Sequence, residues 1–260
     1  MIRPVQLPIP KSAMLLPPEA FAHVPALAGK IAEPETSFYR LSRDRLSDLD
    51  RMAQRNGYPP NWRLTDEARE ATRSALLAGC STDLWVFAYG SLMWDPAIHI
   101  VEIRTATLHG FHRSFCLKSR IGRGSAENPA LMAALDRGGI CSGLAYRIPH
   151  EHVDRETEIL WMREMVAGSY VPILVPIETP QGHVEALTFE INRQSDRYVQ
   201  LDLDETARLI ATGRGFRGTS REYLDNVAER LELLGLADPA IDDLCRRVRQ
   251  VLEAQPQPRP

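Results

Sequence analysis

Residues 84–96 read "LWVFAYGSLMWDP". Five apolar residues, Leu84 to Ala88, run into Tyr89-Gly90-Ser91, and a second apolar burst, Leu92-Met93-Trp94, follows at once. The first five have the length and character of a buried strand. Glycine weakens a strand interior and marks a bulge, or a place where another group comes close to the backbone. The stretch therefore predicts a strand that breaks into a loop, with the N–H groups of Tyr89 to Leu92 left free. Such amides carry fixed partial positive charge and can hold a carboxylate or an oxyanion. A glycine bulge in a buried strand, without any ligand, is the competing reading.

Working outward from this point, apolar runs and period-two alternation predict strands at 84–89, 99–108, 111–118, 131–136, 140–148, 171–177 and 184–191. Helical patterns lie at "LSRDRLSDLDRMAQRNG" (41–57) and "LTDEAREATRSALLAG" (64–79), the second with Thr65 as N-cap and Gly79 at its stop. Another covers about 150–166. A capping box, Thr219 with Glu222, opens a helix over 220–234, and Asp238-Pro239 starts the last one. Strands first and helices last point to an α+β fold rather than a doubly wound sheet.

With 260 residues, the chain can bury a sizeable core. A net charge of −3 gives no reason to expect a nucleic-acid partner, which calls for a basic face. Cys80, Cys116, Cys141 and Cys245 lack the paired spacing of a zinc site and read as core residues in a reducing compartment. Prolines interrupt "MIRPVQLPIPKSAMLLPPEAFAHVPALAG", so no signal peptide is expected there, and no run approaches the roughly 18 apolar residues of a membrane span. The expectation is a cytoplasmic protein with no membrane partner. Residues 1–35 predict an irregular arm, dispensable for chemistry. The chain divides into a Pro-rich arm plus helical extension (1–80), a catalytic domain (81–253) and a frayed tail (254–260).

Three motifs compete for a chemical role. "GRGFRG" (213–218) matches a dinucleotide fingerprint but follows the helical "LDETARLIAT" rather than a strand, so Gly213 reads as a helix end. His109-x-x-His112 and His150-x-His152 have no carboxylate or cysteine set to complete a metal site. In "ILWMREMVAGSY" (159–170), Glu164 falls at the C-terminal end of a helix, where a carboxylate opposes the macrodipole and its pKa rises. That is an unfavourable place for a charge without a function, though a solvated surface glutamate is the plainer alternative.

Taken together, "VFAYGSLMW" (86–94), "RSFCLKS…RGS" (113–125), "ALMAALDRGGICSGLAYRI" (130–148), "LWMREMVAGSYVP" (160–172) and "LIATGRGFRGTSREYLDNVAERLELLG" (209–235) resemble the ChaC-like γ-glutamylcyclotransferases, in order over about residues 84–250. The resemblance implies a γ-glutamylcyclotransferase-like fold, with a small mixed β-barrel flanked by helices behind an N-terminal extension. It implies cleavage of glutathione to 5-oxoproline and cysteinylglycine, with no cofactor and no metal. The implied catalytic residue is Glu164, the general base and acid. The implied substrate-binding residues are Phe87, Ala88, Tyr89, Gly90, Ser91, Leu92 and Tyr223. Gly90 would leave room for the γ-glutamyl group to lie on the backbone. Two departures stand out: Ala88 where glycine is more usual, and an altered R-G-T segment around Arg123. Other γ-glutamyl amides as substrates, or a non-catalytic binding or regulatory module of the same fold, are the alternatives.

Overall fold

The computed structural model describes residues 16–41 and 43–254, with backbone alone at 43 and 44. The start of the Pro-rich arm and nearly all of the tail (254–260) lie outside the described residues. Five strands, β1 (Leu84–Ala88), β2 (Glu102–Ser119), β3 (Ala130–Ile148), β4 (Tyr170–Thr179) and β5 (Gly182–Ile191), form a closed barrel in the order β1-β3-β2-β4-β5. β1 closes it, antiparallel to β3 (Leu84↔Ile148 to Ala88↔Leu144) and parallel to β5 (Trp85↔Ala186). A strand flanked on both edges and covered on both faces has to be apolar throughout, which is why 84–88 carries no alternation. Its period-two geometry still sorts the side chains: Leu84, Val86 and Ala88 join the main core, and Phe87 a second one.

Seven expected strands become five. Gly110, at φ +82°, looks like a turn in sequence but sits at a register shift between His109 and Phe111, and the β2–β3 ladder continues past it. Gly138 and Gly139 (φ +99° and +75°) do the same within β3. Glycine supplies the left-handed backbone that such irregularities require. The resulting long, bent β2–β3 pair wraps the barrel.

Six helices surround it: α1 (Arg43–Arg55), α2 (Asp66–Leu76), α3 (His150–Glu164), α4 (Leu203–Thr212), α5 (Ser220–Leu233) and α6 (Pro239–Ala254). Thr65 accepts from the Ala68 amide at 3.1 Å, and Thr219 with Glu222 forms the full capping box. Gly213 follows α4, and "GRGFRG" folds as a ribbon of β6 (Arg214–Gly215) and β7 (Gly218–Thr219). A Cβ at Gly213 would meet Ala130 Cα at 2.8 Å, so this glycine serves close packing.

The described part of the N-terminal segment is a structural member of the body. Three 3₁₀ turns (Pro18–Phe21, Pro25–Leu27, Pro34–Thr36) each begin with proline, whose fixed φ suits that position. They drop Leu16, Ala20, Val24, Leu27 and Ile31 into the main core. Arg40 then pairs bidentately with Glu156 of α3 at 2.8 and 3.1 Å. Glu156 is 1% exposed and also accepts the His99 amide at 2.9 Å. Removing one partner of such a buried pair typically costs about 3–5 kcal/mol. This bond fixes the chain immediately after Phe38 and Tyr39.

Among the described residues, no helix is long and apolar enough to cross a membrane.

Candidate active site

A cavity of about 210 Å³ is lined by two sets of residues, each forming one wall. Ser91, Arg163, Glu164 and Tyr170 come from the loop after β1, α3 and β4, and Phe38, Tyr39, Arg123 and Arg217 from segments that connect the main elements. Glu164 is the last residue of α3, where the unsatisfied carbonyls of the final turn disfavour a negative charge. Arg163 holds it, with Nε 2.7 Å from Glu164 Oε1. The same guanidinium donates from Nη2 to Ser91 Oγ at 2.9 Å and from Nη1 to the Asp95 carbonyl. Its plane lies 4.2 Å from the Tyr39 ring centre. One arginine thus couples the 89–92 loop, the helix end and the N-terminal segment.

Burial lifts the Glu164 pKa above its ordinary 4.5, and the charge of Arg163 and its hydrogen bond only partly offset that rise. A carboxylate so placed holds a proton more readily than an exposed one and can take one up and return it. Tyr89, Tyr170 and Tyr223 are all raised, chiefly by burial and further by the negative field of Glu164. All three therefore keep their protons.

The residues expected at the site separate into groups. Glu164 and Ser91 line the cavity. Phe87, Ala88 and Leu92 are core side chains and do not line it. Tyr89 turns its hydroxyl into the body, donating to the Phe189 carbonyl at 2.8 Å, while its own carbonyl accepts from Arg113 Nε at 2.7 Å. Arg113, its side chain fully buried, also donates to the Ser142 carbonyl at 2.6 Å and pairs with Asp238, which holds the loop from behind. The amides of Gly90 and Leu92 donate to no acceptor among the described residues.

Tyr223 packs edge-on against Trp94 and Phe115, with its hydroxyl over Gly90. A Cβ at Gly90 would sit 2.6 Å from Tyr223 Oη. Gly90 has φ −128°, so no left-handed backbone is involved. The room that glycine provides is therefore taken by the tyrosine, in place of the direct seat for a γ-glutamyl group expected from sequence. The Ser91 amide faces the same hydroxyl.

Sequence reasoning missed Phe38, Tyr39, Tyr170, Arg197 and Arg217, all of which line the cavity. Arg217 lies inside "GRGFRG", whose glycines drew attention to phosphate chemistry instead. The histidines do not converge: His109 faces Glu178 at 3.2 Å, and His112 Nδ1 lies 3.0 Å from the Gly138 carbonyl. Among the described residues no group of three or more His, Cys, Asp or Glu could hold a metal ion. Cys116 and Cys141 are buried, and Cys80 and Cys245 half-buried; all four are free.

Comparison with known proteins bears on the family and the fold. The family model described as ChaC-like protein matches residues 84–251. The glutathione-specific γ-glutamylcyclotransferase of Escherichia coli (strain K12) is 36% identical over 220 residues, covering 82% of this chain and 94% of that protein. That share is more than residues 84–260 contain, so the likeness runs into the N-terminal segment. The mouse glutathione-specific γ-glutamylcyclotransferase 1 is 34% identical, over 58% of this chain and 71% of its own length. Among solved structures, a yeast γ-glutamyl cyclotransferase specific to glutathione superposes with a TM-score of 0.60 at 22% identity, covering 65% of this chain and 96% of that one. That likeness supports the fold, while the match of the family model settles membership. The chain belongs to the ChaC-like protein family.

Proposed function

We propose that this protein is a glutathione-cleaving γ-glutamylcyclotransferase in which Glu164 moves the proton. The observation that carries the reading is the Glu164 carboxylate itself: at a helix end, lining a cavity, raised in pKa by burial and aimed by Arg163. The similar E. coli and mouse proteins bear names with this activity.

The reaction needs little equipment. In a γ-glutamyl amide the α-amine and the γ-carbonyl belong to one molecule, and their bond closes a five-membered ring. Selecting the folded conformer supplies orientation, which in well-aligned intramolecular systems is worth about 7–11 kcal/mol. The amine is protonated at neutral pH, so it must first lose a proton to Glu164. Its nitrogen then attacks the γ-carbon, and the γ-oxygen takes the negative charge of the tetrahedral intermediate. As the intermediate collapses, the bond from the γ-carbon to the cysteine nitrogen breaks. Glu164 returns its proton to that nitrogen. The second proton, shed by the attacking nitrogen as it becomes the lactam N–H, passes to the same leaving amine, so that 5-oxoproline and the ammonium form of cysteinylglycine are released. No water is consumed, and base and acid are one residue. Arg163 keeps the carboxylate pointed at the Ser91 loop.

The substrate is a free small molecule, and we take the protein to be cytoplasmic, a compartment in which thiols such as Cys80 and Cys245 stay reduced. The test is release of 5-oxoproline from glutathione, compared with γ-glutamyl-amino acids and simple γ-glutamyl amides. Turnover of glutathione with loss of activity in Glu164→Gln supports the proposal. Activity confined to other γ-glutamyl compounds would move the substrate, and no release from any would remove the enzyme reading.

A further inference from the structure

The cavity holds more positive charge than the reaction uses. Arg163 is matched by Glu164. Arg197 donates to the Lys118 carbonyl and to the hydroxyls of Ser119 and Ser169. Arg123 donates to the Thr219 carbonyl at 3.1 Å and lies 3.8 Å from the exposed Glu222 carboxylate. Arg217 is different. Its side chain makes no hydrogen bond or ion pair among the described residues, and its Nε, like that of Arg123, is shut off from solvent without an acceptor. Burial and the like charges of Arg123 and Arg163 work against its protonated form. Asp95 and Tyr39 oppose that, but Asp95 is engaged by the Ser37 hydroxyl at 2.5 Å.

A half-buried guanidinium with an occluded Nε and no partner is costly, and in a native fold it calls for an explanation. The geometry here is specific. Arg217 lies between β6 and β7, with its backbone fixed by a 2.9 Å bond from its N–H to the Gly122 carbonyl. Its guanidinium carbon sits 3.8 Å from the Phe38 ring centre and 4.2 Å from that of Tyr39. Stacking on aromatic faces holds the plane rigid and leaves the in-plane N–H fork available, the geometry that suits a carboxylate in bidentate contact.

We propose that Arg217, preset by Phe38 and Tyr39, binds the second carboxylate of the substrate, the one at the peptide end remote from the scissile amide. This deepens the proposed function and rests on it. The γ-glutamyl carboxylate has its own candidates in the Gly90–Leu92 amides, beside Glu164. A substrate carrying one further free carboxylate is thereby selected over γ-glutamyl amides with neutral ends. Arg217 acts as a specificity residue supplied by a ribbon, and the N-terminal segment supplies the aromatic faces that hold it.

The test compares glutathione with glutathione amide, in which only the glycine carboxylate is neutralised. Wild-type protein should favour glutathione by about 10–100-fold in kcat/KM, the range of a charge-assisted bidentate contact. In Arg217→Met that ratio should collapse towards one, with the loss for glutathione falling on KM rather than kcat. Arg217→Lys, which keeps the charge but not the fork, should restore part of it. A ratio that persists in Arg217→Met would overturn the assignment. So would equal losses for both substrates, which would mean that Arg217 only clamps the ribbon or serves the γ-glutamyl end. Should no variant fold, calorimetry on the wild type decides, since equal affinity for glutathione and its amide contradicts the proposal. That binding measurement also separates the two claims: no turnover of any γ-glutamyl compound would sink the enzyme reading, while a tenfold or greater preference in binding would still uphold Arg217.

Discussion

The two walls of the cavity are built differently. The wall carrying Ser91, Arg163 and Glu164 belongs to the barrel and α3, where ladder bonds and packed apolar side chains set every position. Its charges are internally paired, Arg163 to Glu164 and Arg113 to Asp238. The wall carrying Phe38, Tyr39, Arg123 and Arg217 is made of connecting segments, joined by stacked rings and a few backbone bonds. It contains Arg217, whose guanidinium has no hydrogen-bond or ion-pair partner among the described residues. A rigid, charge-balanced wall suits proton transfer, which tolerates little misplacement. A wall with spare charge suits recognition. On the proposed reading, the difference places chemistry and selectivity on separate parts of the chain.

The largest expected effect breaks the first wall. Glu164→Gln keeps shape and hydrogen-bonding capacity but cannot accept a proton. Turnover of glutathione should fall by about 10²–10⁴-fold or more, since one residue provides both base and acid.

The Gly90–Tyr223 contact gives a sharper probe of the same wall. In Gly90→Ala the new methyl would lie 2.6 Å from the Tyr223 hydroxyl, whereas the next atom of that ring is 3.9 Å away. Gly90→Ala should therefore lower turnover and melting temperature together. Adding Tyr223→Phe should recover much of the lost stability, a non-additivity expected of touching residues. Equal or worse stability in the double variant would show that the glycine answers to something else.

A third prediction concerns the support of the second wall. Leu27 is fully buried, and Leu27→Ala should cost about 2–5 kcal/mol in denaturant unfolding. Removing the whole N-terminal segment should leave core surface exposed and the protein aggregation-prone. A soluble, stable truncation would return the segment to the dispensable arm that its prolines suggest.

The pH dependence follows from Glu164. Its folded pKa is raised, so the base is lost as pH falls through a value above 4.5, and kcat/KM should show an acid limb there that is absent in Glu164→Gln. For stability, the folded state binds the proton more tightly than the unfolded chain. The contribution is thus complete below the unfolded pKa and disappears as pH rises through the raised folded one. Unfolding measured across that window should slope downward with pH in the wild type, and less so in the variant.

The smallest effect is none at all. One carboxylate suffices for the proton transfers, so exhaustive chelation should leave turnover intact. Loss restored by zinc or magnesium would contradict this.

Much of the fold was legible in the sequence where local signals and tertiary structure agree. The Thr65 cap, the Thr219–Glu222 capping box and the helix ending at Glu164 all follow from short-range rules, as does the apolar β1. Gly110 and Gly138-Gly139 misled because a left-handed glycine looks alike in a turn and in a bulge; only the partner strand distinguishes them. The core residues of the N-terminal segment follow proline-led 3₁₀ turns rather than a helical or strand period, so no periodicity announces them. Arg217 was illegible for another reason. Its setting depends on Phe38 and Tyr39, which are distant in sequence and meet it only in the folded structure.

The most direct test of this division of labour is calorimetric binding of glutathione to Glu164→Gln, a variant slow enough for the substrate to persist. Glutathione should bind with a Kd within roughly fivefold of the wild-type KM, and adding Arg217→Met should weaken that binding by about 10–100-fold. Loss of glutathione binding in Glu164→Gln alone, or unaltered affinity in the double variant, would contradict the assignment of chemistry to one wall and recognition to the other.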